Sequence, residues 1–397
     1  MPATTQFELR LAGRMSRLGT ETAFEVNNRA RQHEKQGKEI IHLEIGEPDF
    51  DTPANVIEAG VDALHKGWTH YGPAAGLPDL RQIIADYISR TRKVRVSSDE
   101  VVVVPGGKPI IFFTILALID AGDEVIYPNP GFPIYESMIN YSLGKAIPIP
   151  LREERDFSVD VKELASLITD RTKLIILNSP HNPTGGVLTR KDIFEVAEAI
   201  GDRNILILSD EIYSRLIYDG DHFSIMSVPG FKERTILLDG FSKTYAMTGW
   251  RLGYGVMRPD LAVHISRLVT NSNSCTASFT QIAGIEALRG DQSSVERMSA
   301  EFKGRRDAFV AGLNQIKGFS CRTPKGAFYT FPNITKTGWS SKKLADALLE
   351  QAGVACLSGT AFGEYGEGYL RFSVANSLEN LSKALARIED WVGKNLR

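Results

Sequence analysis

The chain has 397 residues, beyond the size at which a single hydrophobic core usually stops growing, so two domains are expected. Its 43% hydrophobic and 24% charged residues are those of a globular protein, not a disordered or fibrous one. With 46 basic against 48 acidic side chains and no basic tail, nothing electrostatic points to nucleic acid or an anionic membrane, which leaves small molecules as expected partners.

In chain order, residues 1–14 carry charges but no apolar core and do not read as a signal peptide. From Val101 a pattern repeats: an apolar run, a polar or glycine-rich turn, then a helical segment. Val101–Val104 runs into Pro105-Gly106-Gly107-Lys108 and a helix from Pro109. The longest apolar stretch, Ile110–Ile119, is about half a membrane span and reads as a buried helix. Glu124–Tyr127 meets Pro128-Asn129-Pro130-Gly131, and Leu174–Leu177 ends in Asn178-Ser179-Pro180-His181-Asn182-Pro183-Thr184-Gly185. Ile205–Leu208 ends in Ser209-Asp210-Glu211, and Thr235–Leu238 in Asp239-Gly240-Phe241-Ser242-Lys243. Short continuous apolar runs between helices imply strands buried on both faces, hence an α/β fold with a largely parallel sheet.

After about residue 290 the texture changes. A charged amphipathic helix is predicted over Val295–Ile316, strands around Phe328–Phe331 and Tyr369–Ser373, and a last helix over Leu378–Leu396. The expected division is a large α/β domain over residues 50–295 and a smaller α+β domain from residues 1–49 and 296–397, joined by a continuous helix. Cys275, Cys321 and Cys356 are far apart and odd in number, which argues against a disulfide framework or zinc site and fits a reducing cytoplasm.

Ligands of open α/β sheets bind beyond the carboxyl ends of the strands, where the turns above fall. Gly106-Gly107-Lys108 opens a helix whose free N–H groups suit a phosphate or simply make an ordinary turn. Neither GxxxxGK[ST] nor GxGxxG is present. Lys243, at the mouth of the sheet among partly apolar neighbours, would have its ammonium disfavoured, and a neutral amine is what bonding to an aldehyde requires. Arg251 and Ser242 suit a phosphate on the same aldehyde. Asp210, ending an apolar strand, either meets a cation such as a protonated pyridine nitrogen or caps a helix. Tyr213 is expected on the same helical face as Asp210, and Asn182 sits where its amide reaches a phenolic oxygen or makes a plain turn.

Asn182-Pro183-Thr184-Gly185, Ser209–Tyr213, Ser242–Arg251 and Tyr369–Phe372, with Gly46-Glu47-Pro48-Asp49-Phe50 and Tyr71–Arg81, together resemble the class I/II aminotransferases of pyridoxal-phosphate (PLP) fold type I, the aspartate aminotransferase-like enzymes. The resemblance runs in order from about Leu43 to Arg371. It implies PLP as cofactor, with Lys243 as the Schiff-base lysine and proton shuttle, and Asp210 holding the pyridine nitrogen protonated. Tyr213 and Asn182 match the pair at the phenolic oxygen. Gly106, Gly107, Lys108, Ser242 and Arg251 match the phosphate site, and Phe132 the aromatic stacked on the ring. Tyr71 matches a tyrosine reaching the neighbouring subunit's phosphate, implying a homodimer with shared sites. Arg371 matches the clamp on the substrate α-carboxylate, and Gly46 a glycine whose backbone approaches substrate. Lys108 stands where Ser or Thr is frequent, and Gly240 where some members have a further serine.

The implied function is ping-pong exchange of an amino group between an L-amino acid (aspartate, alanine or aromatic) and a 2-oxo acid such as 2-oxoglutarate. The alternative is a PLP-dependent carbon–sulfur lyase of the same fold; the Gly-Glu-Pro-Asp-Phe and Met-Thr-Gly-Trp-Arg segments favour transamination. A non-catalytic regulator domain is disfavoured by the neutral charge and by a domain expected to start near residue 40. His181 is read as packing or hydrogen-bonding, not catalytic. No metal and no membrane partner is expected.

Overall fold

A computed structural model describes residues 8–396. Residues 1–7, part of the segment read against a signal peptide, lie outside the described residues. Seven strands form one sheet: β1 (Val101–Val104), β2 (Glu124–Asn129), β3 (Lys145–Pro150), β4 (Thr172–Asn178), β5 (Leu206–Asp210), β6 (Thr235–Gly240) and β7 (Gly253–Val256). Their order is β1-β7-β6-β5-β4-β2-β3, and β7 alone runs antiparallel to the rest.

The two-residue side-chain period of a strand explains why the runs are continuously apolar. Val102 and Val104 enter one core and Val101 and Val103 another. In β4, Leu174 and Ile176 face the first of these cores while Ile175 and Leu177 face a third. Helices cover both faces, among them Lys108–Leu118, the predicted apolar helix, which buries Ile110, Ile111, Phe113 and Ile115.

Two strands escaped the sequence pattern. β3 is a half-exposed edge strand carrying Pro148 and Pro150, tolerated where no further strand needs their N–H groups. β7 is Gly-Tyr-Gly-Val; a Cβ at Gly253 would lie 2.7 Å from Gly106 C and Gly107 N, so close approach of the Gly106-Gly107 turn requires a glycine there.

The remaining chain builds a second assembly. Tyr329–Thr330, Leu370–Ser373 and Leu357–Ser358 form a three-stranded antiparallel sheet, and Ile41–His42 pairs with Val354–Ala355. Ser293–Leu313 and Leu378–Asn395 pack on it, the latter burying Leu381, Ala384, Ile388, Trp391 and Val392 at helical spacing. The helix expected to cross the change of texture unbroken is interrupted: Ser278–Arg289 stops, Gly290–Gln292 intervenes, and Ser293–Leu313 begins. No helix among the described residues is long and apolar enough to cross a membrane.

Candidate active site

Because six strands run parallel, Val104, Asn178, Asp210 and Gly240 end on one edge of the sheet, and the turns after them converge. They line a cleft of about 500 Å³ together with Gly46, Glu47, Tyr329 and Arg371 from the second assembly.

Lys243 projects into this cleft from the turn after β6 and donates to the Gly46 carbonyl at 2.5 Å. Burial draws its pKa down to about 8; Glu47 opposes the drop, and the charges of Arg371, Lys108 and Arg251 add to it. Desolvation thus leaves this amine half neutral near pH 8, where an ordinary lysine would be almost wholly charged.

Asp210 ends β5 fully buried. It accepts from the Tyr135 hydroxyl at 2.6 Å and from the Ile212 N–H at 3.3 Å. Burial raises it to about 6 although the Tyr135 bond pulls the other way. No cationic side chain pairs with it among the described residues, so a buried carboxylate waits for a positive partner. The helical face expected to join Asp210 to Tyr213 is absent: Asp210 closes a strand, and the residues after it form turns. Tyr213 still lines the cleft, its hydroxyl 2.7 Å from that of Tyr329.

Behind Asp210 lies a buried ionic cluster. Arg92 donates to Glu211 at 2.8 Å and to Asp239 at 3.1 Å, and His222 Nε2 sits 2.7 Å from Glu211. Burial alone would raise both acids; the Arg92 charge and hydrogen bonds from His222 and Ser224 hold Glu211 at about 2, whereas burial prevails at Asp239, at about 6. The cluster ties the turn after β5 to the end of β6, the strand that leads to Lys243.

Arg371 is held where a carboxylate could meet it. Nη1 donates to Asn182 Oδ1 at 3.2 Å, Nη2 donates to the Glu44 carbonyl, and the guanidinium lies 4.5 Å from the Tyr329 ring centroid. Its Nε finds no partner among the described residues. Glu44 is itself anchored by His42 and Asn27, each at 2.8 Å. Asn182 is fixed through its N–H to Asn178 Oδ1 at 3.0 Å.

At the opposite end, Gly107 precedes the helix Lys108–Leu118, and Ser242 and Arg251 stand beside that turn. Gly106 has φ +82°, and a Cβ on it would lie 2.1 Å from Arg251 Nη2. This is a cradle of backbone N–H groups, a hydroxyl and a guanidinium: the donor set an organic phosphate needs. The Lys108 ammonium pairs with Glu21, and Phe132 lies against it at 5.4 Å.

Of the predicted site residues, Tyr71 alone stands apart, 88% exposed and away from the cleft. His181 bonds Thr184 Oγ1 at 2.8 Å, is driven by burial down to about 3, and lines a separate void of about 20 Å³. Sequence reasoning missed Tyr135, Tyr329, Asn178, Glu21 and the Arg92 cluster. Tyr135 and Tyr329 carry no local signal, since each is one aromatic in an apolar stretch; Glu211 and Asp239 were legible as acids ending apolar strands.

A family model described as aminotransferase class I and II matches residues 38–388. The chain belongs to the class I and II aminotransferases. An aspartate aminotransferase of Pyrococcus horikoshii is 43% identical over 89% of this chain and 90% of its own length. Aromatic-amino-acid aminotransferase 2 of Thermococcus litoralis is 40% identical over 88% of this chain and 91% of its own. The solved aspartate aminotransferase of Thermus thermophilus with maleate superposes with a TM-score of 0.93 at 34% identity, covering 96% of this chain and 100% of that one. Membership makes this aminotransferase a transferase of amino groups and sets aside the carbon–sulfur lyase reading.

The family works with PLP, and the residues fit it. The buried carboxylate of Asp210, without a cationic partner among the described residues, suits a ring nitrogen that carries a proton, the amine of Lys243, its charge disfavoured by burial, an aldehyde, and the Gly106 cradle a phosphate.

Proposed function

We propose that the cleft holds pyridoxal 5'-phosphate on Lys243 and passes the amino group of an L-amino acid to a 2-oxo acid in two half-reactions. One observation carries this reading. A buried amine lowered to about 8 lines one cleft with a buried acid and a buried arginine that, among the described residues, have respectively no cationic partner and a free N–H. When bound, the cofactor supplies an aldehyde carbon for amines and a ring that takes up the electrons left when the substrate's α-proton departs.

Each protein group then has a task. Arg371 takes the α-carboxylate in a two-pronged contact and, with the Gly46 backbone, fixes which bond at the α-carbon faces Lys243. Lys243 Nζ, its charge disfavoured by desolvation, would accept the α-proton when uncharged. Asp210, ionised beside a cation, holds a proton on the ring nitrogen, and Tyr135 keeps that carboxylate oriented. Asn182 and Tyr213 donate to the ring oxygen. Gly106, Gly107, the backbone N–H of Lys108, Ser242 and Arg251 hold the phosphate, while Phe132 packs on the ring.

The exposure of Tyr71 supports a homodimer in which it reaches the neighbouring subunit's phosphate. Residues 50–295 are read as the cofactor domain, and 1–49 with 296–397 as a small domain whose N-terminal segment covers substrate; three unpaired cysteines fit a cytoplasmic location. The donors named for relatives, aspartate and aromatic amino acids, are the first to try. Loaded with PLP and given one amino acid without any 2-oxo acid, the protein should release about one 2-oxo acid per site and stop, as a ping-pong half-reaction does. Continuous thiol release from cystathionine, with no such half-reaction, would refute the proposal.

A further inference from the structure

Under the reading just given, on which this inference rests, three of the four cations that line the cleft among the described residues are committed: Lys243 to the cofactor, Arg251 to the phosphate and Arg371 to the α-carboxylate. The fourth, Lys108, gives the phosphate only its backbone N–H, which leaves its ammonium for a second carboxylate on the substrate. It is already occupied. Glu21, the residue preceding the helix Thr22–Lys35, reaches into the cleft and pairs with the Lys108 ammonium. The pair lies between two aromatic rings, with Lys108 Nζ 5.9 Å from the Phe24 centroid and 5.4 Å from that of Phe132. Ala23 and Ile111 complete an apolar surround. Glu21 makes no capping hydrogen bond to its own helix, so local helix chemistry does not account for it.

We infer that Glu21 is a specificity-determining residue: it occupies the position a substrate's distal carboxylate would take on Lys108, and so selects amino acids with bulky uncharged side chains over dicarboxylic ones. The physical reason is a difference of costs. An acidic side chain entering the cleft must displace Glu21 from Lys108 or lie beside it uncompensated, two like charges in a partly dehydrated space. A phenyl or branched aliphatic group leaves the ion pair intact and packs on Phe24, Phe132 and Ile111. Of the donors named above, the aromatic ones are therefore favoured over aspartate, and 2-oxo acids with uncharged side chains over 2-oxoglutarate. The pair is partly open to solvent, Lys108 43% and Glu21 22% exposed, so Glu21 sets a preference and not an absolute barrier.

The test compares the PLP-loaded wild type with Glu21→Gln and with Glu21→Gln/Lys108→Met. Calorimetric titration with succinate and with 3-phenylpropanoate, which carry no amino group to react, gives two dissociation constants; half-reactions with aspartate and phenylalanine give the matching rates. Wild type should favour 3-phenylpropanoate and phenylalanine. Glu21→Gln should move both ratios toward the dicarboxylate by about 10-fold, the worth of one hydrogen bond to a charged group, and removing Lys108 should abolish that gain. A wild-type preference for succinate and aspartate overturns the inference by itself, even if a variant fails to fold. So does a ratio that Glu21→Gln leaves unmoved. Failure of every amino acid to yield a 2-oxo acid would instead overturn the aminotransferase reading of the cleft.

Discussion

If Asp210 is a buried acid waiting for a cation, then replacing it with asparagine should stabilise the protein without its cofactor. In the folded chain its carboxyl titrates at about 6, against an ordinary 3.8, because burial disfavours the charge. The folded state therefore binds the proton more tightly than the unfolded one, and stability falls as pH rises from about 4 through 6. The loss works out at about 1.5 kcal/mol at pH 5 and levels near about 3 kcal/mol by pH 8. Asparagine cannot ionise, yet its carbonyl still accepts from Tyr135. Cofactor-free Asp210→Asn should thus exceed wild type by about these amounts in urea unfolding followed by circular dichroism. Asp239 and Glu211 also titrate, but in both proteins, so their contributions largely cancel in the difference. Adding PLP should reverse the order, because wild type then gains a pyridinium partner. Equal stabilities at pH 8, or a difference that does not grow between pH 5 and pH 8, would refute the argument.

Three further outcomes are expected. Arg371→Lys keeps the charge but loses the planar fork, so kcat/KM for amino acids should fall about 100-fold or more while the bound cofactor's visible spectrum persists. Gly106→Ala places a methyl 2.1 Å from Arg251 Nη2 at a φ of +82°; PLP dissociation constants measured by fluorescence should rise about 10-fold, with about 1 kcal/mol lost in stability. Tyr135→Phe removes the hydroxyl that opposes the rise of Asp210, so the acid limb of the kcat/KM profile should move to higher pH.

What the sequence revealed and what it hid divide along physical lines. β1, β2, β4, β5 and β6 are buried on both faces and read as unbroken apolar runs, so their positions and the turns that follow them were legible. β3 and β7 were not: one is a proline-bearing edge, the other half glycine, and neither has the composition of a buried strand. Lys243 and Asp210 stood out because charged residues next to apolar strands need a reason, and Arg251 because a guanidinium suits a phosphate on the aldehyde at Lys243. Tyr135 and Tyr329 gave no such signal; they matter through contacts with Asp210 and Tyr213 that span 75 and 116 residues of chain. Glu21 was hidden for the same reason, since its partner Lys108 lies 87 residues away.

The central claim is that Lys243 is the amine that carries the cofactor. Borohydride treatment of the PLP-loaded protein, followed by peptide mass mapping, tests it most directly. The account predicts the mass of a reduced pyridoxyl phosphate on the peptide containing Lys243, and no such adduct on that peptide in Lys243→Ala. An adduct on another lysine in the wild type, or amino transfer that survives Lys243→Ala, would contradict it.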